Sequence, residues 1–331
     1  MNLLFSCIGK RGYIADYFRS HLGVNDRIIG TSNTKWTSGF SHCDKNYILP
    51  DIISPKYIST VMDICKMESV SGILSFFDPD VVELSKHFEE FVMMGITPIF
   101  PKEEITEICF DKYKTFKFLT SHKIKTAMTY LDFHQAMNEI RSGKLSFPVF
   151  VKPRRGFSSK STYKANNERE LDVFFHYASD MIIQEELRGE SINFDILNDL
   201  NGKVVSVVPW RKYLSRMGET EHAQTIHNQS LIDFGVNLAS TLKHVGPLDA
   251  DLFLLNDKIS VLEINLRFGG GYPVSHLAGA GFPSKIIRML KGEGVQQGIG
   301  DFSDDIILIK DNFILGGPAS EYFQNIIVKR E

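Results

Sequence analysis

The 331 residues correspond to about two domains at roughly 150 residues each, enough for a multi-layered core. Hydrophobic residues make up 43% and charged residues 23%, too apolar for disorder; 37 Lys plus Arg against 40 Asp plus Glu leave a net charge of -3, which argues against nucleic-acid binding by bulk phosphate attraction. No apolar run reaches the ~18 residues of a membrane span, the start lacks a signal peptide's basic region, and Cys7, Cys43, Cys65 and Cys109 lie too far apart for a zinc site or disulfide framework, so a cytoplasmic protein with no nucleic-acid or membrane partner is expected.

Asn2 to Ile8 reads as a buried strand, followed by a turn at Gly9-Lys10-Arg11-Gly12 and a helix from Tyr13 to His21. The two glycines lack the full dinucleotide-binding spacing and no ribose-binding acid follows, so a structural turn is the better reading. Strands follow at Arg27 to Thr31 and Val70 to Phe77. The second runs into Asp78-Pro79-Asp80, where Asp78 or Asp80 can cap a helix from Val81 to Val92. Ile96 to Phe100 closes an alternation that predicts an α/β domain with a parallel, doubly wound sheet. Beyond Pro101 the texture becomes α+β. A helix spans Asp111 to His122, strands cover Phe147 to Lys152 and Met181 to Glu185, and hairpins are expected at Ile192 to Val208 and Gly246 to Leu266.

The most informative stretch is Val261-Leu262-Glu263-Ile264-Asn265-Leu266-Arg267. On a strand, Leu262, Ile264 and Leu266 face one way, toward a core. Glu263, Asn265 and Arg267 face the other, successive ones about 7 Å apart from the ~3.3 Å rise per residue. A solvated strand face is the plain alternative. Gly269-Gly270-Gly271 follows at once, and glycines allow a ligand close approach to the backbone. On the partner strand Asp249 and Asp251 alternate with Ala250, Leu252 and Leu254. A two-residue loop at Asn256-Asp257 would set Asp251 opposite Leu262, whereas a three-residue loop, Asn256 to Lys258, sets it opposite Glu263 and keeps the leucines on one face; the latter is expected. Two carboxylates and an amide oxygen then converge, a hard donor set suited to magnesium, with phosphate oxygens completing the shell.

A second motif is Lys152-Pro153-Arg154-Arg155-Gly156-Phe157-Ser158-Ser159-Lys160. A strand delivers Lys152 into a loop with backbone amides, two hydroxyls and further positive charge, able to cover a polyphosphate, although its spacing is not that of a Walker loop. Taken alone, a basic surface turn is the better reading of it. Asp111-Lys112 opens the preceding helix with another cation. Gln184 to Glu190 runs from a strand into an acidic turn that could meet an adenine edge and ribose hydroxyls, or lie exposed.

Taken in order, Asp111-Lys112, Val151-Lys152-Pro153 with its loop, the Gln184 to Glu190 hinge and Glu263-x-Asn265-x-Arg267 with three glycines resemble the ATP-grasp superfamily, and within it the carbamoyl-phosphate-synthetase-like carboxylate–amine ligases. The resemblance covers nearly the whole chain. It implies a pre-ATP-grasp α/β domain at 1–100, an ATP-grasp linker and nucleotide lid at 101–190, and a catalytic domain with an antiparallel C-terminal sheet at 191–331. It implies ATP and Mg2+ (or Mn2+), with Lys112, Lys152, Ser158 and Ser159 on the phosphates and Glu185, Glu186 and Leu187 at the adenine. Glu190, or a neighbour such as Ser191, would serve the ribose. Asp251, Glu263 and Asn265 would hold the metal, and Arg267 would face the transferring phosphoryl group. Three departures stand out: Leu266 where many relatives have proline, a glycine-poor phosphate loop, and Ser191 where the ribose acid usually falls.

The implied reaction is phosphorylation of a substrate carboxylate followed by displacement of phosphate by an amine, with a lid over roughly residues 112–187 to exclude water. Its partners would be a small-molecule carboxylate and amine, and the family analogy extends to a homodimer. For the acceptor, Arg211 is the preferred residue within a stretch that includes Lys212, Arg216 and Glu219 to His227. The competing readings are an ATP-grasp phosphoryl-transfer or carboxylation enzyme and a nucleotide-binding regulatory module without turnover. His222, His227 and His276 are read as surface or pocket residues, since the mechanism needs no nucleophilic side chain.

Overall fold

The computed structural model describes residues 1–157, 160–216, 219–311, 315, 324 and 326–328, so Ser158 and Ser159 lie outside the described residues. Among those described, the strands form three sheets that follow one another along the chain. The first holds β1 (Asn2–Ser6), β2 (Arg27–Ser32), β3 (Lys45–Ile48), β4 (Val70–Ser75) and β5 (Thr97–Pro98), all parallel, in the order β3-β2-β1-β4-β5. Leu3, Leu4 and Phe5 are buried in succession because a parallel sheet is covered on both faces, which is why β1 reads as a continuous apolar run. The expected Val81 to Val92 helix is two, Asp78–Ser85 and Phe88–Met93, and no side chain caps the first. Asp78 and Asp80 lie inside its first turn and are used elsewhere. Asp80 is buried, accepting hydrogen bonds from Tyr57 Oη (2.5 Å) and Ser75 Oγ (2.8 Å).

The second sheet is small and antiparallel: β6 (Thr129–Tyr130), β7 (Val149–Pro153), β8 (Tyr163–Ala165) and β9 (Met181–Glu185), ordered β6-β9-β7-β8. Helices Phe133–Arg141 and Glu168–His176 close a separate apolar core around Tyr130, Met137, Val149, Val151, Leu171 and Ile183. The third sheet comprises β10 (Glu190–Asn198), β11 (Val204–Arg216), β12 (Glu219–Thr225), β13 (Gly246–Leu255), β14 (Lys258–Asn265) and β15 (Ile307–Ile309), antiparallel in the order β14-β13-β10-β11-β12-β15. The chain then returns to the first sheet, where β16 (Ile326–Val328) pairs in parallel with β3. No helix among the described residues is long and apolar enough to cross a membrane.

The β13–β14 connection corrects the sequence reading while keeping its register. Leu255 pairs with Lys258 across a two-residue loop, with Asn256 (φ 49°) and Asp257 (φ 60°) both in the left-handed region that such tight turns require. The ladder then shifts: Leu252 faces Val261, but Asp251 faces Glu263, so Leu262 is the extra residue of a β-bulge. The bulge takes Leu262 off the core face, where Val261, Ile264 and Leu266 remain, and leaves it half-buried in a cleft.

Candidate active site

One face of the third sheet carries its polar residues in register. Asn193 and Asp195 on β10 lie opposite Asp251 and Asp249 on β13, and those lie opposite Glu263 and Asn265 on β14. The reverse face is the core of Ile192, Phe194, Ile196, Ala250 and Ile264. Thus the alternation predicted for β13 and β14 extends to β10, whose acid and amide the sequence reading did not single out.

The acidic strip is tied together by a few charge-assisted bonds. The Asn193 side-chain amide donates to Asp249 Oδ1 (3.2 Å) and Asp251 Oδ1 (2.9 Å), and Asn265 donates to Asp249 Oδ2 (3.3 Å). Lys212 pairs with Asp251. Burial alone would raise the Asp251 carboxyl, but Lys212 overrides it and holds the group below its usual range. Asp249 is pushed up by burial and by Asp251 beside it. Asp195, buried and accepting from Trp210 Nε1 (2.9 Å) and Ser275 Oγ (2.5 Å), is raised by burial and then by Asp249. Arg267 Nε and Nη2 both lie 3.0 Å from Asp78 Oδ2, and Nη1 is 3.6 Å from Asp249. The first-turn acid of the first domain therefore serves as the counter-ion of the last arginine of the motif.

Across the cleft stand the lysines of the second sheet and its approach helix. Asp111 caps helix Lys112–Ser121, accepting from the Tyr113 and Lys114 amides (3.0 and 3.1 Å). Lys112 Nζ sits 3.1 Å from Glu263 Oε1 and 2.8 Å from the Gly156 carbonyl. Lys152 is buried; that burial lowers its pKa to about 8, with the Glu263 charge resisting. The loop beyond it divides its cations. Arg154 forms a bidentate pair with Asp111 (Nε 2.8 Å to both oxygens) and Arg155 reaches Glu107 and Asp111 (3.3 and 3.4 Å), while Lys160 lines the cleft.

Between the second and third sheets lies a cavity of about 190 Å3. Its apolar walls include Phe150, Pro153, Phe157, Leu187, Phe253 and Leu262, and its polar ones include Lys112, Lys152, Lys160, Gln184, Glu185 and Glu263. Glu185 and Leu187 thus border the cavity. Glu186 turns to Lys164 (2.6 Å) and Arg188 (3.5 Å). Glu190 and Arg211 pair with each other, both half-exposed. Arg211 and Lys212 are neighbours on one strand and so point to opposite faces; Lys212 is the one that meets the acidic strip. Phe150 and Phe253 escaped the sequence reading, although a signal was present, since each is two residues from a polar site residue, Lys152 and Asp251, on the same strand.

The three glycines have a different reason from the one expected. A Cβ at Gly269, Gly270 or Gly271 would meet the Asp249 carboxylate, the Glu219 carboxylate or the Trp210 ring. They admit the protein's own side chains, and it is these that approach the backbone.

The donor set suits a hard divalent cation. Asp251, Glu263 and Asn265 offer oxygen ligands on one face, and the buried Asn193 Oδ1 has no hydrogen-bond partner among the described residues. Among those residues no three His, Cys, Asp or Glu side chains are arranged to hold a metal unaided. Magnesium is usually bound by one or two carboxylates together with substrate phosphates.

Comparisons with known proteins agree with this architecture. A family model described as the PylC-like N-terminal domain matches residues 3–99, and one described as ATP-grasp in the biosynthetic pathway with Ter operon matches residues 177–308. N5-carboxyaminoimidazole ribonucleotide synthase of Saccharolobus solfataricus is 22% identical over 205 residues, 60% of this chain and 54% of that protein. D-alanine--D-alanine ligase of Francisella tularensis subsp. novicida is 25% identical over 195 residues, 55% of this chain and 64% of that one. The chain is therefore matched to less than two thirds of the length of either relative. Among solved structures, the biotin carboxylase domain of Hydrogenobacter thermophilus 2-oxoglutarate carboxylase, in complex with MgADP, ADP and bicarbonate, superposes with a TM-score of 0.72 at 15% identity, covering 90% of this chain and 72% of that one.

Proposed function

We propose that this chain, a member of the ATP-grasp superfamily, is an ADP-forming ligase that joins a carboxylate to an amine through an acyl phosphate. The observation that carries the reading is the cavity between the second and third sheets. It has apolar walls at one part, and Lys112 and Lys152 meet Glu263 at another. That is the complementarity a purine triphosphate needs, with a flat apolar base and a polyanion neutralised by cations and a metal.

In this reading Phe150, Leu187, Phe253 and Leu262 enclose the adenine, and Glu185 and Leu187 border its polar edge. Lys112, Lys152 and Lys160 take the phosphates, with Ser158 and Ser159 as further phosphate ligands. Glu190 and Arg211 pair with each other on the face opposite the acidic strip and take no contact with ATP or the acceptor. Asp251, Glu263 and Asn265 would hold Mg2+, and Mn2+ suits the same oxygens. The metal, when bound, supplies charge neutralisation of the phosphates. Lys212 keeps Asp251 ionised, as a metal ligand must be.

The chemistry asks for no nucleophilic side chain. The substrate carboxylate attacks the γ-phosphorus in line and ADP leaves; an amine then attacks the acyl carbon and phosphate leaves. Arg267 neutralises the transferring group, and Asp78 and Asp249 orient its guanidinium. The second sheet, with its own core, is suited to act as a lid that shields the acyl phosphate from water.

The test is ADP release from Mg-ATP with pooled carboxylates, each pool with and without pooled amines. Turnover that requires both is the expected result. ADP formed with a carboxylate alone would instead favour phosphoryl transfer or carboxylation. A chain that does not bind ATP at all would overturn the reading.

A further inference from the structure

Each of the three side chains proposed as metal ligands has one terminal atom tied to the protein. Asp251 Oδ1 accepts from the Asn193 amide (2.9 Å) and from Lys212, Glu263 Oε1 lies 3.1 Å from Lys112 Nζ, and Asn265 Nδ2 donates to Asp249 Oδ2 (3.3 Å). Among the described residues, no hydrogen bond reaches the remaining oxygens, Asp251 Oδ2, Glu263 Oε2 and Asn265 Oδ1. Two of the ties come from side chains that are not themselves proposed as ligands, Asn193 and Asp249. Asn193 lies opposite Asp251 in the β10–β13 ladder and is 2% exposed. Its side-chain NH2 spans the two acids of β13, reaching Asp249 Oδ1 at 3.2 Å as well as Asp251 Oδ1. Its own oxygen is buried without a hydrogen-bond partner among the described residues. A buried acceptor left unpaired costs stability, so packing alone does not account for an amide at this position. Its two N–H groups do: they reach two carboxylates at once and, being uncharged, leave both negative for a cation.

Resting on the nucleotide and metal assignments of the ligase reading above, we propose that Asn193 is a positioning residue that sets the selectivity of the site for magnesium over calcium. By holding Asp251 Oδ1 it leaves the carboxylate a single oxygen to offer a metal. Magnesium demands short bonds and near-ideal octahedral geometry, whereas calcium gathers six to eight oxygens and readily takes both oxygens of one carboxylate. A carboxylate pinned by one oxygen therefore suits magnesium, and one free to turn suits calcium. Lys212 also meets Oδ1, but as a cation on a long flexible stem it is drawn to a polyphosphate as well as to Asp251. Asn193 is short, uncharged and buried on a central strand, so its hold does not depend on what else is bound. Asp249 treats Asn265 in the same way: it takes the amide nitrogen and leaves Oδ1 as the atom available to a cation.

The experiment uses the full chain and reads binding without turnover: calorimetric titration with ADP in Mg2+, in Ca2+ and in EDTA. For the parent, Mg2+ should tighten ADP about tenfold over EDTA, and Ca2+ should give clearly less of that gain. Asn193→Leu, close in volume, should leave the ADP affinity in EDTA within about twofold, because Lys112, Lys152 and the apolar walls are untouched. It should lose most of the Mg2+ gain and bring the two ions to within about twofold of each other. Asn193→Ala makes the same removal without a branched side chain and serves where leucine does not fit. A variant that keeps the parent's Mg2+ gain overturns the proposal. So does one that loses the gains with both ions in equal proportion, since a merely structural role predicts that result. ADP bound equally in all three conditions removes the metal from the site and overturns the metal assignment as well. Failure of the parent to bind ADP in any condition overturns the ligase reading itself.

Discussion

Glu263 stands between Lys112 and Asp251, so its charge is shared by the helix that carries Lys112 and the acidic strip of the third sheet. Glu263→Gln changes that charge at nearly constant volume. It is expected to lower magnesium-dependent ADP formation at least a hundredfold while shifting Tm by only a few degrees; turnover near that of the parent would remove Glu263 from the metal site. A second residue speaks to stability rather than chemistry. His244 is fully buried, and burial, opposed by the Gly246 backbone, lowers its pKa to about 3. A group whose folded pKa lies below its unfolded value of about 6.5 stabilises the fold fully above that value. That stability is lost as pH falls from about 6.5 toward 3, at up to about 1.4 kcal/mol per pH unit. Urea melts of the parent and of His244→Phe between pH 7 and 4.5 should show a shallower acid loss in the variant; parallel curves would place the titration elsewhere.

At the scale of the element, the β13–β14 hairpin shows how far alternation can be trusted. The two acids of β13 and the Glu-x-Asn-x-Arg of β14 were legible because a polar residue every second position has no place in a core. The bulge was not legible. A two-residue turn with both residues at positive φ and a one-residue shift produce the same Asp251–Glu263 pairing as a longer loop, and only the ladder distinguishes them. The distinction matters for Leu262. On the core face its truncation would cost about 2–5 kcal/mol. Facing the cleft, Leu262→Ala should cost under about 1 kcal/mol of stability, measured by urea melts, and weaken nucleotide binding about tenfold as an apolar wall is lost. A large stability loss with unchanged ATP affinity would return Leu262 to the core.

Across the whole molecule, apolar clusters do not follow the order of the sheets. One buried cluster joins Leu4, Ile73 and Phe100 to Phe194, Ala250 and Ile264, so the first and third sheets share a core. The second sheet has its own, a small one around Val149, Val151 and Ile183. Its ties to the rest include the Phe77–Phe157 edge-on contact (centroids 4.8 Å apart) and Lys112 with Gly156 and Glu263. Hydrogen exchange followed by mass spectrometry should therefore find the amides of β6–β9 opening at lower free energy than those of β1, β4, β10 and β13, with Mg-ATP narrowing the gap. Uniform protection across all three sheets would contradict an independently opening lid.

Local pattern alone determined the alternating strands and helices of the first domain, the antiparallel hairpins that follow it, and the polar face of β14, because periodicity and turn chemistry act within a few residues. Tertiary structure decided everything that required segments far apart to meet. Asp78, read with Asp80 as a helix-capping candidate, is the counter-ion of Arg267; Arg154, in the loop expected to fold over the phosphates, is held by Asp111; the three glycines make room for Asp249, Glu219 and Trp210. The Gly9–Gly12 turn delivers Arg11 to Glu219, 208 positions away. A charge finds its partner through the packing of sheets and helices, and sequence spacing carries no record of that distance.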